Sequence, residues 1–296
     1  MMTKKIKTIG ETLSEIRKIK GLTQNEIATD DLTRSSITKI ENNKMNPSYE
    51  KIMIFCNKLG ITLSEVIYYQ KNRNVSEQEM LFYEFRNLKL SVYEDALNRL
   101  IKKMEEYLTR ENDNMIFELR AILVGLKTFA DTNDIELAKK EVDFIWKRLE
   151  KQDYWFEFDV LIIANIIYIF DLDTLIRVGE KILLEIDRNK YLINYNRLKI
   201  VLVFNIAHFL KSYDRMDLAG KYLTRGIEYS YQNGDLISAY IGEYRLAEYK
   251  LYLGDIEEAN NLYKKCINFF EVINDIAVLE DIKNDWIEYR KKLNLD

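Results

Sequence analysis

The chain has 296 residues, of which 47% are hydrophobic, 31% charged and 12% aromatic, which excludes a disordered polypeptide and allows two cores of unequal size. One proline and ten glycines leave few enforced helix stops, so an all-α fold is expected over a sandwich or barrel. The net charge of −4 is divided unevenly: residues 1–70 hold 11 Lys and Arg against 8 Asp and Glu, and the remainder holds 33 against 40. A basic head on an acidic body assigns contact with nucleic acid to the head. Cys56 and Cys266 lie far apart and fit buried thiols in a reducing compartment better than a disulfide or metal site, and no cofactor is expected. The opening residues lack the apolar stretch of a signal peptide. The longest apolar run, Val160 to Phe170, is interrupted by Asn165 and is about half the roughly 20 residues that cross a bilayer. It reads as a buried helix, and a cytoplasmic protein without membrane contact is expected.

Ile9, Leu13 and Ile16 recur at helical spacing, and Gly21 supplies a stop. Thr23-Gln24-Asn25-Glu26 forms a capping box for a short second helix. Thr33 caps a third, Arg34 to Glu41, whose Ile37 and Ile40 face a core while Arg34, Ser35, Ser36, Thr38 and Lys39 face outward. A loop over 42–48 with Pro47 precedes two further helices, Tyr49 to Leu59 and Leu63 to Tyr69. Glu41 is expected to tie the third helix to its neighbours.

The strings Gly-Leu-Thr-Gln-Asn-Glu-Ile-Ala, Leu-Thr-Arg-Ser-Ser-Ile-Thr-Lys-Ile-Glu-Asn-Asn and Leu-Gly-Ile-Thr-Leu-Ser-Glu-Val resemble the Cro and phage-repressor-like helix-turn-helix class, the XRE family. In that class the second helix of the motif lies in the major groove. The resemblance implies base contacts from Arg34, Ser35, Ser36 and Lys39, residue types suited to guanine acceptors and mixed base edges. Thr23, Gln24, Thr33, Thr38 and Lys44 are then placed for phosphates.

A polar connection over 71–76 leads to a helix capped by Ser76 with Leu81, Phe82 and Phe85 on one side. The expected division is a DNA-binding domain over 1–70, a linker over 71–76 and a second domain over 77–296. Beyond the linker helical periodicity is nearly unbroken, and Asp134 to Lys140, Arg215 to Lys221 and Asp255 to Asn261 echo one another. Small residues recur at Ala138, Val178 or Gly179, Ala219 and Ala259, about 40 apart. A turn, then a small residue where helices touch, then a large apolar one is the tetratricopeptide pattern. Leu253-Gly254-Asp255 through Ala259, Tyr263 and Ile267 resembles that family most directly. Four or five helix pairs in a right-handed TPR-like solenoid, closed by Ile276 to Lys292, are expected.

An XRE-type head fused to such a solenoid resembles the Rgg, GadR and MutR regulators, within a wider group that includes PlcR, PrgX and ComR types. That resemblance implies a homodimer on double-stranded DNA at an inverted-repeat promoter site, controlled in quorum sensing by a short signalling peptide in the concave groove. Asn165 and Asn205, 40 apart in apolar helices, and Arg245 a further 40 on could form a polar row there. An amide serves a peptide backbone and a guanidinium a carboxylate. His208 and Tyr244 join them as candidates, although the amides equally suit bridges between helices, and Tyr168, Phe204, Tyr240 and Tyr244 equally suit packing between repeats. A solenoid that docks a protein partner, or that has no effector, is the alternative. An enzyme is not expected: there is one histidine, no glycine-rich phosphate loop and no nucleophile elbow.

Overall fold

The computed structural model describes residues 7–88 and 94–295. Sixteen α-helices and one turn of 3-10 helix make up the regular structure of these residues, and none is by itself long and apolar enough to cross a membrane. The chain divides into two compact units, Met1–Val92 and Tyr93–Asp296.

The first unit holds α1 (Ile9–Ile19), α2 (Gln24–Ile27), α3 (Arg34–Glu41), α4 (Tyr49–Leu59), α5 (Leu63–Gln70) and α6 (Glu77–Arg86). Side-chain caps start most of these helices. Thr8, Thr23, Thr62 and Ser76 each complete a capping box, and Thr33 accepts from the Ser36 amide, satisfying donors that a helix start leaves free. Apolar faces converge on a core of Leu13, Ile16, Ile27, Leu32, Ile37, Ile40, Phe55 and Val66. The first and third helices meet so closely that a Cβ on Gly10 would lie 2.0 Å from the Ile40 carbonyl oxygen. The linker expected over 71–76 is instead a hydrogen-bonded turn: the Arg73 amide donates to the Tyr68 carbonyl at 2.9 Å, and Lys71 pairs with Glu79 at 2.9 Å. The helix behind it belongs to the first unit, so the division falls after Val92 and not at residue 70.

The second unit runs α7 (Glu94–Leu108), α8 (Asn114–Thr132), α9 (Ile135–Leu149), α10 (Glu157–Ile166), α11 (Leu172–Arg188), α12 (Ile193–Ser212), α13 (Met216–Gln232), α14 (Leu236–Tyr252), α15 (Ile256–Val272) and α16 (Ile276–Lys292). Each helix packs on its successor from α7 to α9 and from α11 to α16, and α10 also lies on α12, α12 on α14 and α14 on α16. The first helices of successive pairs therefore adjoin one another, as in a helical-repeat solenoid. The apolar run from Val160 is the buried α10, continued by a 3-10 turn at Ile167–Ile169.

From α13 onward the array is regular. Four helices of 17 residues follow one another, each preceded by a turn with a left-handed residue, Asp214, Gly234, Gly254 and Asn274 in order. Asp235, Asp255 and Asp275 then cap the following helix. Ala138, Val178, Ala219 and Ala259 are all buried. Rings seat on helical glycines between neighbours: a Cβ on Gly179 would fall 2.6 Å from the Tyr222 ring, and Phe204 lies equally close to Gly226 and Gly242.

Candidate functional site

In the first unit α3 presents its N-terminal turn outward. Arg34, Ser35, Lys39 and Lys44 are exposed, and the side chains of Arg34, Lys39 and Lys44 have no hydrogen-bond or ion-pair partner among the described residues. The other candidates are spent on structure. The Thr23 hydroxyl bonds Glu26, and the Thr33 hydroxyl donates to that of Ser36 at 3.1 Å. The Thr38 hydroxyl donates to the Gln24 side-chain oxygen at 2.9 Å, while the Gln24 amide donates to Glu41 at 2.9 Å. Glu41 is the hub of this lattice. It takes two bonds from Arg17, at 2.6 and 2.7 Å, and one from Ser14 at 3.1 Å. Burial pushes the Glu41 carboxyl up, but hydrogen bonds from Arg17, Gln24 and Ser14 together hold it below the usual carboxylate range. The result is a scaffold of α1, α2 and α3 that carries Arg34 at the start of α3, Lys39 in its last turn and Lys44 just beyond it.

In the second unit the polar candidates lie on first helices of pairs. Asn165 is half-buried on α10 and its amide donates back to the Leu161 carbonyl at 2.8 Å. Asn205 is half-buried on α12. Its amide stays reachable by water and has no hydrogen-bond partner among the described residues. One turn before these two and Arg245 stand Leu161, Val201 and Ile241, so aliphatic and polar positions alternate along the stripe. His208 is exposed on one side, yet burial is the leading cause that pulls its pKa below the ordinary value, followed by the Arg245 and Lys211 cations, with Glu248 and Asp285 opposing.

Two placements differ from expectation. Tyr244 is 1% exposed, inside the core with Ala247, Phe270 and Trp286, and so has no surface to offer a ligand. Tyr240 likewise stacks on Phe269 at 3.8 Å. The step around Asn165 is less even than expected: α11 begins 44 residues ahead of α13, whereas α12 ends 40 ahead of α14 and α14 begins 40 ahead of α16. Bonds across this step span different separations: the Tyr213 hydroxyl donates to the Phe170 carbonyl and that of Tyr229 to the Ile186 carbonyl, each 43 residues apart, while that of Tyr195 donates to the Trp155 carbonyl, 40 apart. Asn205, Arg245 and Asp285 recur every 40 residues on α12, α14 and α16.

Arg245 is already engaged. Its guanidinium bonds Glu248 at 3.1 Å and Asp285 at 3.0 Å. Glu248 is fully buried and also accepts from Lys211 at 2.6 Å, and Lys211 lies over the Tyr289 ring at 4.1 Å. This network ties α12, α14 and α16 together. Lys211, Glu248 and Asp285 were not among the sequence candidates, although one more 40-residue step from Arg245 lands on Asp285.

Residues 10–70 match a helix-turn-helix domain, and residues 94–284 match the C-terminal domain of the HTH-type transcriptional regulator Rgg. No curated protein matches the chain by sequence. Solved structures share its fold over nearly their whole lengths. A protein from Listeria monocytogenes EGD-e is 20% identical, with a TM-score of 0.78 over 97% of this chain and 99% of that one. The SHP pheromone receptor Rgg2 of Streptococcus dysgalactiae is 18% identical, with a TM-score of 0.73 over 95% and 99%. ComR from S. thermophilus, in complex with DNA and its signalling peptide ComS, is 15% identical, with a TM-score of 0.66 over 95% and 99%. With a helix-turn-helix head and the family's own C-terminal domain covering most of the remainder, the chain belongs to the Rgg family of HTH-type transcriptional regulators.

Proposed function

We propose that this regulator reads its operator through α3 and changes its DNA affinity when a short signalling peptide lies along the first-helix row of the second unit. Arg34, Ser35, Ser36 and Lys39 read bases, and Lys44 holds phosphate; Thr23, Gln24, Thr33 and Thr38 act chiefly by fixing the helix that carries the readers. Two copies of the chain, working in the cytoplasm, would place two heads on an inverted repeat whose half-sites lie about 34 Å, or a multiple of it, apart. The observation that carries the peptide reading is Asn205. A half-buried amide within an apolar helix, reachable from solvent and without a hydrogen-bond partner among the described residues, is free to bond a ligand in place of water. An extended peptide backbone supplies both a donor and an acceptor. Two fold relatives, a pheromone receptor and a regulator in complex with DNA and its signalling peptide, support the same reading.

The test is DNA binding by the full chain to its own upstream region, titrated with salt, with and without synthetic peptides from adjacent small open reading frames. One peptide is expected to change the affinity. Asn205→Ala is expected to lose that response while still binding DNA in the absence of peptide; a retained response removes Asn205 from the site. Arg34→Ala is expected to relax preference at one base position, costing about 1 to 3 kcal/mol. Equal loss on every sequence would make Arg34 a phosphate contact.

A further inference from the structure

The Arg245 network has an asymmetry that its counterpart at the other end of the array lacks. At the other end of the array Arg148 bridges Glu118 and Asp159, at 2.7 and 3.0 Å, and both carboxylates are sealed, with side chains 10% and 11% exposed. Arg245 also bridges two carboxylates, but only Glu248 is sealed, at 1% exposure, while the Asp285 side chain is 46% exposed. Glu248 would keep Lys211 and the Tyr244 hydroxyl if Asp285 left, so its departure leaves no buried charge unpaired. Asp285 has Arg245 as its one ion-pair partner among the described residues. It also stands in register with Asn205 and Arg245, on the stripe assigned to the peptide.

We propose that Asp285 is an internal stand-in for a ligand carboxylate, so that Arg245 selects peptides that bring a carboxylate to this point and exchanges Asp285 for it. The proposal rests on the peptide-sensor reading and adds the chemistry of one subsite and a consequence of filling it. The exchange swaps one carboxylate for another on the same guanidinium, so the charge balance at Arg245 is conserved while the ion pair from α14 to α16 is cut. A half-solvated carboxylate is the partner that leaves most readily, since water already satisfies part of its surface. After the exchange α16 is held by apolar contacts, with Trp286 stacked on Tyr263 at 4.5 Å, and by Tyr289 beneath Lys211. The last helix thereby reports occupancy. The carboxylate can be the peptide's C-terminus or an Asp or Glu side chain.

The test is affinity selection of synthetic random octapeptide pools on the full chain and on Asp285→Asn and Asp285→Glu. One pool lacks acids and has a free C-terminus, a second lacks acids and is amidated, and a third is amidated with one Asp at a random position. Asp285→Asn is expected to retain about tenfold more of a carboxylate-bearing pool than the native chain, the gain from removing an internal competitor. Asp285→Glu is expected to behave as the native chain, and the amidated acid-free pool to be indifferent to all three. The first pool against the third separates terminal from side-chain carboxylate. Deuterium uptake over 276–292 is expected to rise in Asp285→Asn alone, and in the native chain once a selected peptide is bound. If peptides bind but Asp285→Asn retains the acidic pools no better than the native chain, Asp285 is an ordinary ion pair and the sensor reading stands without this subsite. If no pool is retained by any of the three, both the subsite and the peptide reading fall.

Discussion

Glu41 closes α3 and accepts hydrogen bonds from Arg17, Ser14 and Gln24. The Arg17 and Glu41 side chains are 10% and 5% exposed, so cutting the pair strands a buried cation beside a helix that must hold its readers in place. Glu41→Ala is expected to destabilise the first unit by about 3 to 5 kcal/mol, checked by urea unfolding. Glu41→Gln, which still accepts from Arg17, should cost less. The pH dependence follows from the depressed carboxyl: the stabilisation is present above the unfolded value of about 4.3 and is lost as pH falls through the folded value. Gln24 illustrates how the same lattice changes a functional reading. Its type and position fit a phosphate contact, but both ends of its amide are consumed inside the head.

At the scale of elements, most helix starts announce themselves through the residue before them. Threonine or serine with glutamate three positions later marks α1, α2, α5 and α6, and aspartate after a left-handed residue marks α14, α15 and α16, because capping is chemistry between near neighbours. Repeat contacts obey a different rule, in which one ring must fit one gap. Gly179→Ala would drive a methyl into the Tyr222 ring 2.6 Å away; Tyr222 is fully buried and cannot retreat. A cost of about 1 to 3 kcal/mol is expected from such overpacking, measured by thermal unfolding. Shrinking residue 222 in the same chain should recover part of it, since the two positions share one space. Additive losses would show that the ring is not the obstacle.

For the whole molecule, the dependence of stability on pH should carry the mark of a buried amine. Lys199 is 0% exposed, bonds the Glu185 carbonyl at 2.7 Å and lies over the Tyr195 ring at 3.7 Å. Burial, opposed by Glu185, lowers its pKa to about 8. Between that value and about 10.4 the unfolded chain keeps a proton on Lys199 that the folded one has lost, so the contribution of this group to stability rises with pH by up to about 3 kcal/mol, opposed over the same range by the Cys266 thiol, which burial pushes up to about 12. Below it both states are charged and the cost of burial is carried in full. Above about 10 the trend reverses, because Tyr168, Tyr231 and Tyr289, pushed up to about 12, ionise first in the unfolded chain. Melting the native chain and Lys199→Met side by side at a series of pH values should show the advantage of the variant shrinking as pH rises above about 8; a constant difference would acquit Lys199. What the sequence alone determined was the helical class, the helix-turn-helix head, the caps and the 40-residue rhythm of the last helices, all properties of residues close in the chain. Only the tertiary structure decided which candidates remain free to act. It consumed Gln24 and Thr38, buried Tyr244, turned the Asn165 amide back onto its own helix, grouped α6 with the head and brought Asp285 onto Arg245. Those outcomes depend on partners that meet through space, and a partner's position is fixed by packing between helices rather than by spacing along the chain.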